Sequence, residues 1–236
     1  SSDVMNAIEK LKGEKIEGLI LDLRNNPGGL LEEAVNVSSI FLQPGKTVVF
    51  TKERDEKNTV YLKARKLPVV DYDIPLIVLI NSGSASASEI VSGALQDHKR
   101  AIVMGVTSFG KASVQTTFNL TDGSAIKLTI AKYYTPSGKS IQGVGITPDI
   151  EVKSGEIVYN ENEQEFREKD YEKHLKGENE EDHPKKKQDK SQGNQEKVND
   201  NLTLSELEKA DFEKDLQLKY AYDFLKGLLI HGKKSK

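Results

Sequence analysis

The chain predicts an α/β fold, and three observations lead there. Strand-like and helix-like segments alternate from the N-terminus to about residue 105. Leu76-Ile-Val-Leu-Ile80 is a continuous apolar run of strand length, the pattern of a strand covered on both faces. Asp122-Gly123 lies between two extended segments as a hairpin turn. The expected architecture is an α/β core carrying an added antiparallel hairpin.

Taken in order, Val4, Ile8 and Leu11 recur at helical spacing, and Gly13 suits the C-terminal cap. Gly18-Leu-Ile-Leu-Asp-Leu23 reads as a buried strand that runs into the tight turn Arg24-Asn-Asn-Pro-Gly-Gly29. Leu31, Ala34, Val35 and Ser38 form one face of a helix that closes near Pro44-Gly45. Thr47–Phe50 and Thr59–Leu62 are two strands joined by the charged stretch Lys52 to Lys57. After the apolar run comes a helix from about Ser86 to Leu95, then the strand Ala101–Met104. Val114–Leu120 and Ala125–Tyr134 make the hairpin.

Composition changes after Val152, which divides the chain into a core (1–153), a charged insertion (154–201) and a C-terminal helical segment (202–236). From Lys176 to Asn201 the only strongly apolar residue is Val198, so the insertion is expected to be disordered or an exposed linker. Thr203-Leu-Ser-Glu206 has capping-box spacing. Leu218, Ala221, Leu225 and Leu228 then mark an amphipathic helix expected to pack back on the core.

The formal net charge of −3 gives no sign of a nucleic-acid partner. With no cysteine there is no disulfide, no thiol catalysis and no cysteine-based metal site. No apolar run approaches a membrane span, and Ser1-Ser-Asp-Val-Met-Asn is not the start of a signal peptide. A chain that opens without methionine reads as a piece of a longer protein.

The chemistry-bearing segments are Asn81–Ile90 and Ser108–Gln115. Ser84, Ser86 and Ser88 open a helix at the carboxyl end of a buried strand, where α/β proteins place their chemistry. Capping is the structural reading of such serines. In the first helical turn, however, a nucleophile also has free N–H groups beside it for an oxyanion. Serine needs a base, and a desolvated lysine can serve. For Lys111 that means burial with no nearby carboxylate, and Phe109, Gly110 and Ala112 are uncharged. Gln115 returns to the same strand face and could position the amine. The turn after Asp22 and Arg24 could supply a second oxyanion donor, and spacing does not decide between Gly28 and Gly29. His98, His174, His183 and His231 are scattered. A Ser-His-Asp triad would depend on His98.

Together, several segments resemble the carboxyl-terminal processing (tail-specific) proteases, serine peptidase family S41. They are Gly18–Gly29, Asn81–Ile90, Gly105–Lys111 with Gln115, Tyr134-Thr-Pro-Ser-Gly138 and Gly143-Val-Gly-Ile-Thr-Pro-Asp149. Asp215–Leu228 looks like the family's closing helix. The resemblance implies a crotonase/Clp-protease-like core of repeated ββα units. It implies Ser86 as nucleophile, Lys111 as general base and Gln115 as its orienting partner. Ala87 and a glycine of Pro27-Gly-Gly29 would form the oxyanion hole, with Asp97 in a supporting role. No cofactor or metal is called for. Expected partners are protein or peptide substrates with apolar C-termini, with a homo-oligomer left open and the bacterial envelope, periplasmic or extracytoplasmic, as location. The family's PDZ domain has no counterpart in this chain, Ala112 stands where glycine is common, and the insertion looks lineage-specific. The rival readings are a carrier of apolar ligands on the same scaffold and an interaction scaffold using the charged tail.

Overall fold

A computed structural model describes residues 1–14, 16–53, 58–65, 68–158, 212 and 214–232. Most of the charged insertion and the Thr203–Glu206 capping box lie outside the described residues. The elements in chain order are α1 (Ser2–Gly13), β1 (Leu19–Asp22), α2 (Leu31–Ser39), β2 (Thr47–Glu53), β3 (Thr59–Lys63), β4 (Leu76–Ile80), α3 (Ala87–Asp97), β5 (Ile102–Gly105), β6 (Ser113–Asn119), β7 (Ala125–Tyr134), β8 (Ile150–Glu151) and α4 (Leu216–Gly232).

The strands form two four-stranded sheets. One is parallel, in the order β1-β4-β5-β8; the other is antiparallel, in the order β3-β2-β7-β6. The hairpin is thus more than an appendage. Its strand β7 pairs with β2 from Phe50↔Tyr134 to Glu53↔Ala131 and so completes the second sheet.

The apolar run of β4 is buried on both faces, and its alternation divides two cores. Leu76, Val78 and Ile80 join the main core with Val35, Val91 and Leu95 from α2 and α3. Ile77 and Leu79 face the other way, against Met104, Val152, Ala221 and Leu225. Helix α4 therefore seals the outer face of the parallel sheet. Gly18 makes room for it, since a Cβ there would meet Leu225 Cδ2 at 2.8 Å.

Helix α4 is also pinned by polar contacts. The half-buried Arg24 guanidinium donates to Asp22 and to both carboxylate oxygens of Asp215, at 2.9 and 2.7 Å. Gln217, buried, donates to the Val152 carbonyl at 2.7 Å and accepts from Arg24 at 3.1 Å. The Arg24 hydrogen bonds hold the Asp215 carboxyl below its ordinary pKa.

Strands β1, β4 and β5 are parallel, so their carboxyl ends share one edge of the sheet. From that edge leave the turns 24–29, 81–86 and 106–112. This convergence assembles the site.

Candidate active site

The turns are bonded to one another before any side chain reaches out. Asn81 Oδ1 accepts from the N–H groups of Asn25 and Gly83, while its Nδ2 donates to Asn25 Oδ1 at 2.9 Å. Ala85 N–H donates to the Asn26 carbonyl, and Phe109 N–H donates to the Ser84 carbonyl. The three serines then separate by role. Ser84 is buried, donating to the Leu23 carbonyl at 2.7 Å and accepting from Asn81 N–H at 3.0 Å. Ser88 is buried within α3. Ser86 stays partly exposed, at the N-cap of α3.

Ser86 has φ 56° and ψ −115°, a combination that a side chain strongly disfavours. The turn puts Ser86 at the exposed head of the helix. Behind it the Ala87 N–H has no hydrogen-bond partner among the described residues, as expected for the first turn of a helix. The two glycines of the facing turn also differ. Gly28, at φ +89°, packs so closely that a Cβ would meet Ala85 O at 2.4 Å, Ala87 N at 2.6 Å and Ser86 Cβ at 3.0 Å. Gly29 has open space. Gly28 N–H donates to the side chain of the exposed Asn26 at 2.9 Å.

Lys111 and Gln115 depart from expectation. Both side chains are exposed, and no hydrogen bond joins Lys111 Nζ to Ser86 or Gln115 among the described residues. Gln115 Nε2 instead approaches Thr129 Oγ1 across the hairpin at 3.4 Å. The uncharged neighbours of Lys111 in sequence do not enclose it in space. A carboxylate, Glu89, also lies against its backbone, accepting the Lys111 N–H at 2.9 Å. Asp97 lies at the far end of α3, where it accepts the Ser137 N–H at 2.8 Å and steadies the Thr135–Gly138 turn. His98 caps the same end and contacts the Thr47 carbonyl at 2.7 Å. With a rise of about 1.5 Å per residue, α3 keeps it roughly 18 Å from Ser86. A triad through His98 is excluded by that distance.

Two residues escaped the sequence reading. Glu89 is fully buried and accepts four hydrogen bonds: Ser108 Oγ and Gly110 N–H at 2.6 Å each, Ser86 N–H at 2.8 Å and Lys111 N–H at 2.9 Å. Its signal was the spacing Ser86-x-x-Glu89, a capping box. Tyr133 is buried on β7, and its hydroxyl donates to the Lys111 carbonyl. Burial, then the nearby Glu89 charge, raises the pKa of its phenol; contact with the Ser86 hydroxyl works the other way.

Beside Gly28, Gly29 and Ala87 lies a cavity of about 170 Å³, lined mainly by apolar residues such as Val4, Leu21, Val37 and Val91, with Asn26, Glu33 and Ser88. A larger cleft of about 760 Å³ opens at the other end of α3 and carries Asp97, Lys99, Lys139 and Asp149.

Comparison with known proteins adds the following. The family model described as peptidase family S41 matches residues 1–152. A carboxy-terminal-processing protease of Bartonella bacilliformis is 43% identical over 236 residues, covering 98% of this chain and 50% of that protein. That match runs through the charged insertion. A chloroplastic carboxyl-terminal-processing peptidase 3 of Arabidopsis thaliana is 44% identical over 157 residues, covering 66% of this chain and 30% of that protein. Among solved structures, a photosystem II D1 C-terminal processing protease superposes with a TM-score of 0.59 at 38% identity, covering 64% of this chain and 38% of that one. The chain thus spans half or less of the length of these relatives.

Proposed function

The chain belongs to peptidase family S41, and from that premise we propose that it carries the catalytic core of a serine endopeptidase that cleaves protein substrates near their C-termini through Ser86 and Lys111. The observation that carries this reading is Ser86 itself. It is accessible and strained, with the unpartnered Ala87 N–H behind it and Gly28 packed against it.

In the proposed reaction Ser86 Oγ attacks the scissile carbonyl carbon while the neutral Lys111 amine takes its proton. The carbonyl oxygen becomes an oxyanion held by the N–H groups of Ala87 and Gly28, the latter exchanging the exposed Asn26 side chain for the substrate. Lys111 then protonates the leaving amine, and water releases the acyl group by the same path reversed. Because Lys111 is exposed in the chain alone, its desolvation is assigned to bound substrate or to the rest of the protein. Gln115 would turn from Thr129 towards the amine in that closed state. The small apolar cavity beside Gly28 and Ala87 would take an apolar side chain on the acyl side of the cut. Asp97 supports the fold at the opposite end of α3. A location in the bacterial envelope follows from the resemblance. Among the described residues, no helix is long and apolar enough to cross a membrane.

The carrier reading is weakened by size. Small-molecule sites span roughly 300–1,000 Å³, whereas the mainly apolar cavity beside Gly28 and Ala87 has about 170 Å³. The larger cleft sets Asp97, Lys99, Lys139 and Asp149 among the apolar Ile141, Val144, Ile146 and Pro148, at the other end of α3 from Ser86.

The test uses the full-length protein on an unstructured polypeptide with an apolar C-terminus, following cleavage by mass spectrometry across pH. Wild type should cut, and folded Ser86→Ala and Lys111→Ala should not. Equal cutting by all three would refute the dyad.

A further inference from the structure

Glu89 bonds to both members of the proposed pair, and Tyr133 to one of them. On one side, Glu89 Oε2 accepts the backbone N–H of Ser86 at 2.8 Å and of Lys111 at 2.9 Å. On the other, the Tyr133 hydroxyl donates to the Lys111 carbonyl. The backbone of Lys111 is therefore held at both its donor and its acceptor. Both holding groups are buried, and both come from other elements, α3 and β7.

We propose that Glu89 and Tyr133 are the positioning residues of the Ser86–Lys111 pair, Glu89 fixing the spacing of the two backbones and Tyr133 anchoring the base segment through the Lys111 carbonyl. This rests on the dyad reading above and goes beyond it by assigning what holds an exposed lysine to its station. All four neighbours of Glu89 are donors, and four matches the acceptor capacity of a carboxylate. An amide at this place would present a donor to donors. Burial and the charge of Glu89 keep the phenol protonated, and so a donor, across the working pH range.

The decisive variant is Tyr133→Phe, which removes one oxygen and keeps the ring in the core. Freed from its tether, the Lys111 segment moves, and a displacement near 1 Å costs about 10²-fold in rate. In the full-length protein, kcat on a fluorogenic peptide should fall about 10- to 100-fold. KM should stay within about twofold, the pH of half-maximal kcat should move, and the melting temperature should hold. Glu89→Gln should give the same split of kcat from KM, with Glu89→Asp recovering part of the loss. A Tyr133→Phe enzyme with the wild-type kcat and pH profile overturns the proposal. So does one in which kcat and KM change together with a lost melting temperature, since that is the mark of a merely structural tyrosine. Ser86→Ala and Lys111→Ala run alongside. If they remain active, the dyad itself is wrong. If they are dead while Tyr133→Phe is normal, only the positioning role falls.

Discussion

Replacing Gly28 with alanine tests the site's geometry most directly. The new Cβ would sit 2.4 Å from the Ala85 carbonyl oxygen and 2.6 Å from the Ala87 nitrogen, where real Cβ contacts stay above 3.0 Å. Something must move by about 0.6 Å (3.0 minus 2.4), and both obstacles are backbone. Overpacking of this kind costs about 1–3 kcal/mol. The left-handed φ of +89° adds about 1–2 kcal/mol for any residue with a side chain. The sum, about 2–5 kcal/mol, is a large part of the 5–15 kcal/mol that holds a typical domain together. If the turn yields instead, the Gly28 N–H leaves the proposed oxyanion site, and losing one such donor lowers kcat by about 10²–10³-fold. The assay pairs kcat on a fluorogenic peptide with thermal unfolding, using Gly29→Ala as the control. Gly29 has open space and an ordinary φ, so that variant should stay within about 0.5 kcal/mol and within a few-fold in rate. A Gly28→Ala protein with normal stability and kcat, or a Gly29→Ala protein that is equally damaged, would refute the reasoning.

Two further outcomes follow from the same contacts. Ser86→Gly should abolish cleavage yet raise the melting temperature, because a conformation costing about 1–3 kcal/mol is relieved; unchanged or lowered stability would mean the φ of 56° carries no strain. The depressed pKa of Asp215 means its stabilising share is in place above the unfolded carboxylate value near 4 and is lost as pH falls through the lower folded value. Asp215→Asn should therefore be less stable near neutrality and should flatten this part of the acid limb in unfolding curves taken between about pH 2 and 6.

Much of the fold could be read from local pattern. The five apolar residues of β4 announced a strand buried on both faces, and Asp122-Gly123 announced its hairpin. The pairing of β7 with β2 was not legible, because it joins residues some eighty positions apart and no local signal names a partner strand. The site divides the same way. Ser86 was singled out by resemblance, and its backbone angles and exposure now distinguish it from the buried Ser84 and Ser88. The environment of Lys111 was misjudged because uncharged sequence neighbours say nothing of solvent. Glu89 had a readable spacing, but only folding shows that Ser108, Gly110 and Lys111 converge on it.

The anchoring of α4 has a consequence for the integrity of the chain. Ile157 N–H donates to the Lys214 carbonyl, Leu216 N–H donates to the Gly155 carbonyl, and Arg24 and Gln217 add their own contacts. The segment after β8, through residues 155–157, and the helix start near 214 are thus stapled side by side, whatever the path between them. Covalent continuity is not what keeps the helix on the sheet. A nick between residues 158 and 212 would leave two fragments that copurify, and the helix supplied as a separate peptide could complement a chain that lacks it.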